Sequence, residues 1–227
     1  MKGARVAIII PTLNAAAHLP ALLQDLEAGQ TLIVAIIVSD GGSTDTTIEI
    51  AAAAGAIIIT GPPGRGGQLR RAAVAAPPGW LWLLHADSRL PSGWASVVEA
   101  CCSSTSSNIA WYGKLRFNSR NPCARLLEAG VALRCALARL PYGDQGLLIH
   151  RALLDEIGGI PDLPLMEDVV LATRLRGRLR RMSLVITTNA AAYERDGWGR
   201  RAVLNLWRLM RFLFGSNAAK LAKGYRR

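Results

Sequence analysis

Short apolar runs alternate with longer Ala/Leu-rich stretches through the first half of the chain. Residues 6–10, 32–39, 56–60 and 80–84 are apolar nearly throughout, the pattern of strands buried on both faces. Residues 19–28, 45–54 and 68–76 between them predict helices. This alternation predicts an α/β fold with a mostly parallel sheet covered on both faces. Each strand runs into a polar turn: Pro11-Thr12-Leu13-Asn14, Asp40-Gly41-Gly42-Ser43, Gly61-Pro62-Pro63-Gly64-Arg65-Gly66-Gly67, and His85-Ala86-Asp87-Ser88. Open α/β sheets bind ligands outside the carboxyl ends of their strands, so the four turns are expected to share one crevice.

The second half is less regular. Residues 109–117 predict a strand, 122–140 a helix, 146–150 a short strand and 152–157 a helix. A turn-rich loop over 158–164 follows, and Met166-Glu167-Asp168 opens another helix. With 227 residues and 51% hydrophobic composition, the chain can bury one substantial α/β core. No uninterrupted apolar run reaches the length of a membrane span. The start, MKGARVAIIIPTLN, lacks a small-residue cleavage site and reads as a first strand rather than a signal. The four cysteines show neither CxxC nor zinc-type His/Cys spacing, which fits buried thiols in a reducing cytoplasm.

Charge changes the picture at one end. The formal net charge is +11, and residues 194–227 carry +7 of it, from nine Lys/Arg against two acids. The chain therefore divides into a mildly basic body, 1–193, and a basic tail, 194–227. Such a balance favours anionic partners. Residues 200–214, RRAVLNLWRLMRFLF, set Arg201, Asn205, Arg208 and Arg211 at three- and four-residue steps among apolar side chains, and Lys220, Lys223, Arg226 and Arg227 follow. That is an amphipathic helix. It suits an anionic membrane surface contacted through residues 199–227, giving a peripheral place on the cytoplasmic face. It equally allows Leu204, Trp207 and Phe214 to pack on the body or on a second protomer, as in a homodimer. No nucleic-acid-binding signature accompanies the charge, so no nucleic-acid partner is expected.

The turns carry the candidate chemistry. Asp40 closes a strand before Ser43, Thr44 and Asp45 open a helix, so its carboxylate suits a base N–H or a ribose hydroxyl. The same residues also satisfy a plain turn and helix cap. The loop 61–67 offers glycines for close backbone approach, with Arg65, Arg70 and Arg71 to neutralise a diphosphate, although it matches neither GxxxxGK[ST] nor GxGxxG. Asp87 can serve Mg²⁺ or Mn²⁺, because hard cations take few carboxylates beside phosphate oxygens and water. His85 either supports that cation or is a strand-end imidazole. Glu167 and Asp168 are also what the dipole of a helix start favours on its own.

The ordered set IIIPTLN, VSDGGSTD, a Gly/Arg loop, LHADS, GDQG and MED resembles the family 2 glycosyltransferases of GT-A fold. GRGGQLRRA, LHADSRLP, YGDQGLLIHRALLDEIGGIPDLPLMEDVVLATRL and ERDGW resemble the bacterial "transferase 2" subgroup associated with radical-SAM/selenodomain gene clusters. The resemblance spans nearly the whole chain. It implies a Rossmann-like GT-A domain in which Pro11, Thr12 and Asn14 line a nucleotide pocket, Asp40 contacts the base, and Arg65 and Gln68 lie by the nucleotide. Asp87 stands for the last acid of the family's DxD metal motif, with His85 in place of the first. Arg70 stands where the pattern has Asn. Glu167 and Asp168 match the acid pair whose Asp is the catalytic base, and Asp144 and Gln145 border the acceptor.

The implied reaction is metal-assisted, inverting transfer of a hexose or similar sugar from a UDP-, GDP- or dTDP-type donor to a hydroxyl of a small or lipid-linked acceptor. Asp168 is the general base, and Mn²⁺ or Mg²⁺ the cofactor. Two other readings stay open. A sugar-nucleotide nucleotidyltransferase shares a related core, but its Gly-rich N-terminal loop is replaced here by Pro11-Thr12-Leu13-Asn14. A non-catalytic basic binding protein is the other.

Overall fold

The computed structural model describes residues 5–104 and 107–223. Met1 to Ala4 ahead of the first strand, and Arg226 and Arg227 of the basic tail, lie outside the described residues. Strands β1 (Val6–Thr12), β2 (Ile33–Asp40), β3 (Ile57–Thr60) and β4 (Trp80–Leu83) alternate with helices α1 (Leu19–Glu27), α2 (Thr47–Ala53) and α3 (Arg65–Ala75). The second half adds α4 (Trp94–Ser104), β5 (Ala110–Phe117), α5 (Pro122–Ala138), a 3-10 turn over Gly143–Gln145, β6 (Leu147–His150), α6 (Arg151–Glu156), α7 (Glu167–Arg174) and β7 (Leu179–Thr188). Three helices complete the described residues: α8 (Ala191–Asp196), α9 (Trp198–Leu213) and α10 (Ala218–Lys223).

The strands form one sheet in the order β3-β2-β1-β4-β6-β5-β7. Six run in one direction, and β6 alone is antiparallel to its neighbours β4 and β5. Alternate residues of the central strands face opposite layers. Ala7, Ile9, Leu81 and Leu83 join the core under α3, α5, α6 and α7. Val6, Ile8, Ile10, Trp80, Trp82 and Leu84 join the core under α1 and α4. Burial on both sides is why these strands read as continuous apolar runs.

The reversal of β6 matters for function. Leu83, at the carboxyl end of β4, pairs with Leu147, at the start of β6. The turn Gly143–Gln145 before β6 is thereby delivered to the same sheet edge as the ends of β1, β2 and β4. The 161–163 loop packs on the start of α3 through Gly66, whose N–H donates to the Leu163 carbonyl at 2.9 Å. A Cβ at Gly66 would collide with the carbonyl oxygens of Pro161 and Leu163.

The terminal helices rest on the body. Tyr193 and Trp198 stack with ring centroids 5.2 Å apart and both meet Phe117 edge-on. Leu209 and Leu221 pack with Leu165, Met166 and Val169. The tail therefore touches the segment that carries Glu167 and Asp168. Three of the four polar positions expected on α9 face the protein, while Arg211 is exposed: Arg201 pairs with Asp196 at 2.6 Å, Asn205 donates to the Tyr193 hydroxyl at 3.1 Å, and Arg208 donates to Asn205 at 3.1 Å. Trp207 and Phe214 do not pack on the body, being 51% and 82% exposed.

Candidate active site

The carboxyl edge is built from the strand ends inward. Asp40 is fully buried, and its carboxylate accepts from the Thr12 hydroxyl at 2.9 Å, the Gly42 and Ser43 amides at 2.8 and 2.7 Å, and the Ser43 hydroxyl. Burial alone would raise the Asp40 pKa, but the Ser43, Thr12 and Gly42 hydrogen bonds outweigh it and hold the carboxyl below its ordinary range. Asn14, in a left-handed conformation with φ 51°, accepts from the Thr44 amide at 2.9 Å, and Asp45 accepts from Ala16 and Thr47. The amides before α2 are thus occupied by Asp40, Asn14 and Asp45. Asp40 and Asp45 reach amides two or three residues on, whereas Asn14 reaches across from the end of β1, 30 residues away.

Gln68 is a brace. Its amide donates to the main-chain carbonyls of Thr12 at 2.6 Å and Ser39 at 2.8 Å and accepts from Gly64 at 3.2 Å. It is 4% exposed and stitches α3 to β1 and β2. The three arginines of the Gly/Arg region do not converge on one anion. Arg65 turns to the acid pair, Arg71 donates to the Pro62 carbonyl at 3.0 Å, and Arg70 lines an open cleft with Arg151, Asp155 and Arg174. Successive helical residues point about 100° apart, and Gly66 and Gly67 serve packing against the 161–163 loop rather than an open cradle.

Arg65 organises the centre. Its guanidinium ion-pairs with Glu167, donates to Asp168 Oδ2 at 3.0 Å and lies 3.3 Å from His85 Nε2. Asp168 also accepts from the Gly143 amide at 2.9 Å and from the Val169 amide at 2.8 Å. Glu167 is 1% exposed, and its Oε2 has no hydrogen-bond partner. Burial raises its pKa, with Arg65 opposing. His85 is pushed down to about 4, by burial first and by Arg65 second, so its imidazole is neutral at physiological pH. Met166 before the pair takes the left-handed conformation, φ 70°, which turns the chain sharply into α7.

Asp87 is braced by β7: its Oδ2 accepts from the Thr188 hydroxyl at 2.9 Å and from the Asn189 amide at 3.3 Å. No sequence motif marks Thr188 and Asn189 as site residues. Their only signal is the every-second-residue apolar pattern of Met182, Leu184 and Ile186, which ends at Thr188. Among the described residues no group of three His, Cys, Asp or Glu gathers to hold a metal ion. One carboxylate and a neutral imidazole fit a hard cation that draws its other ligands from a diphosphate and water.

In the Gly143–Gln145 turn, Gln145 is 2% exposed. Its amide donates to the Gly113 carbonyl at 3.0 Å and accepts from the Tyr142 amide at 3.2 Å, so its side chain shapes the turn from inside. Asp144 is half-buried with an unpartnered Oδ1, and burial pushes its pKa up to about 6 against the pull of Arg134. Arg134 itself lies over the Tyr142 ring, 3.4 Å from its centroid.

Residues 7–103 match the sequence model of glycosyl transferase family 2. Over this stretch, which is less than half of the chain, the sequence is similar to the family 2 glycosyltransferases. The matched segment holds β1 to α4, and with them Pro11, Thr12, Asn14, Asp40, Arg65, Gln68, His85 and Asp87; the Gly143–Gln145 turn and the acid pair lie beyond it. No curated protein sequence matches the chain significantly. Solved structures share the glycosyltransferase fold. Residues 1–349 of TarS from S. aureus, in complex with UDP, superpose with a TM-score of 0.63 at 16% identity, covering 82% of this chain and 60% of that one. Glucosyl-3-phosphoglycerate synthase from Mycobacterium tuberculosis, in complex with Mn²⁺, UDP and glucosyl-3-phosphoglycerate, gives 0.57 at 19% identity over 90% and 79%. A mycobacterial protein gives 0.58 at 20% identity over 82% and 65%. The chain thus spans about 60–65% of two of these three relatives.

Proposed function

We propose that this glycosyltransferase moves a sugar from a nucleoside-diphosphate donor to an acceptor hydroxyl with inversion, and that Asp168 is its general base. The observation that carries the reading is the convergence of Asp168, Arg65 and His85 within hydrogen-bonding reach at the carboxyl edge of the sheet. The Gly143 amide and Arg65 fix the Asp168 carboxylate, and Asp168 takes the proton of the attacking hydroxyl as that oxygen bonds to the anomeric carbon. The sugar–phosphate bond breaks on the opposite face, and the nucleoside diphosphate leaves with the electron pair. Arg65 is the cation nearest the acid pair and stabilises the leaving diphosphate once the donor draws it from Glu167. Asp87 and His85 would hold Mn²⁺ or Mg²⁺, which supplies charge neutralisation to the diphosphate. The relatives' UDP complexes favour a uridine donor among the UDP, GDP and dTDP types. Asp144 lines the acceptor side, where a small or lipid-linked hydroxyl compound enters.

Thermal-shift titrations with UDP, GDP and dTDP, each with Mn²⁺, Mg²⁺ or chelator, test the donor and cation assignments. Ligand at a hundredfold its dissociation constant adds about 2.7 kcal/mol, or roughly 5–11 °C for a chain of this size. The shift is expected with UDP and metal and lost in Asp87→Ala; no shift with any nucleotide overturns the reading. Asp168→Asn should keep nucleotide binding while donor-sugar hydrolysis falls about 10²–10⁴-fold.

A further inference from the structure

We infer that helices α5 and α9 together form a docking surface for an anionic lipid bilayer. On α9, Val203, Leu206, Trp207, Met210, Leu213 and Phe214 recur at three- and four-residue steps and are 42–82% exposed. Arg201 and Asn205 of that helix are turned inward onto Asp196 and Tyr193. A helix whose polar side meets the protein and whose apolar side meets solvent is the reverse of the usual surface helix. Helix α5, which packs against α9, adds a second stripe: Leu126, Leu133 and Leu137 are 59–78% exposed and repeat on one helical face. Exposed apolar patches of this extent mark an interaction surface.

Charge identifies the occupant. Arg200 and Arg211 flank the α9 stripe, with Arg139 at the end of α5 and Lys220 on α10 also exposed. Neither α9 nor α10 contains an acid, and Glu128, the single acid of α5, is buried. Two copies of this face brought together would oppose like charges around an apolar centre, whereas an anionic bilayer offers both an apolar layer and the complementary sign. Leu209 on α9 and Leu221 on α10 pack on Met166 and Val169, so the docked face lies beside the segment carrying the acid pair. Resting on the proposed transfer reaction, this places the acceptor entrance at the membrane surface and favours a lipid-linked hydroxyl compound.

Flotation of the full chain tests the docking without nucleotide or activity, so its failure leaves the transfer reading untouched. The probes are phosphatidylcholine vesicles and vesicles with about one third phosphatidylglycerol, at low and high salt. Binding is expected to the anionic vesicles and to weaken with salt. Trp207→Ser with Phe214→Ser should lower the partition coefficient at least about tenfold, and Arg200→Ser with Arg211→Ser about 25-fold, at roughly fivefold per basic residue. All four positions are on the solvent side, so the variants should melt like the parent, and Leu133→Ser with Leu137→Ser supplies an independent pair on α5. Failure to float with anionic vesicles overturns the inference. So does a dimer, seen by light scattering, that Trp207→Ser with Phe214→Ser dissociates while vesicle binding is absent.

Discussion

Arg65→Met removes the guanidinium that ion-pairs with Glu167 and leaves a carboxylate that is 1% exposed, with one oxygen already unpartnered. Stripping one partner from a buried pair costs about 3–5 kcal/mol. The Arg65 side chain is 25% exposed, so the lower end applies, about 3 kcal/mol. Asp168 contributes little to that cost because it keeps the Gly143 and Val169 amides. At roughly 2–4 °C per kcal/mol for a chain of this length, the melting temperature should fall by about 6–12 °C at neutral pH.

The pH dependence separates this cause from lost packing. Burial already raises the Glu167 pKa above its ordinary 4.5, and removing Arg65 raises it further. An acid whose folded pKa exceeds its unfolded value takes up a proton on folding. It costs nothing below the unfolded value and destabilises increasingly as pH rises toward the folded one. With one proton involved, the slope cannot exceed about 1.4 kcal/mol per pH unit. Scanning calorimetry from pH 5 to pH 8 should therefore show parent and variant nearly together at the acid end and furthest apart at the alkaline end. Repeating the pair in a Glu167→Gln background should shrink the difference below about 1 kcal/mol, since the amide carries no charge to strand. A gap equal at pH 5 and pH 8, or unchanged by Glu167→Gln, would refute the assignment of Arg65 as the counter-ion of a strained buried acid.

Three further outcomes follow from the same geometry. Gly66→Ala pushes a methyl group into the Pro161 and Leu163 carbonyls, and overpacking of this kind should cost about 2–3 kcal/mol in chemical denaturation; a neutral result would mean that the 161–163 loop does not clamp α3. Gln68→Leu strands the buried carbonyls of Thr12 and Ser39 and should lose about 2–3 kcal/mol, with weaker nucleotide binding as the ends of β1 and β2 loosen; intact nucleotide affinity would show that the brace does not shape the pocket. Asp144, with a folded pKa of about 6 against 3.8, costs stability increasingly as pH rises between those values and in full above them. Asp144→Asn should therefore stabilise the protein by about 3 kcal/mol at pH 8 and hardly at all at pH 4, read by melting temperature at the two pH values.

What could be read from the chain alone follows from how each element is buried. The strands β1 to β4 are apolar on both faces, and their starts and ends fall within two residues of the expected ones. β7 escaped notice because it is an edge strand whose outward positions hold Arg180 and Arg181, so no continuous apolar run marks it. With β7 went Thr188 and Asn189, the braces of Asp87. Charged residues at strand ends and helix starts were visible as candidates, but their partners were not. The contact of Arg65 with Glu167 joins residues 102 positions apart, brought near one another where the 161–163 loop packs on Gly66. The tail shows the same limit in another form. Periodicity predicted an amphipathic helix, yet which side turns inward depends on Asp196 and Tyr193 waiting to receive the polar stripe. Local pattern therefore locates charge along the chain, while tertiary contacts decide whether a given charge faces a ligand, another residue or a membrane.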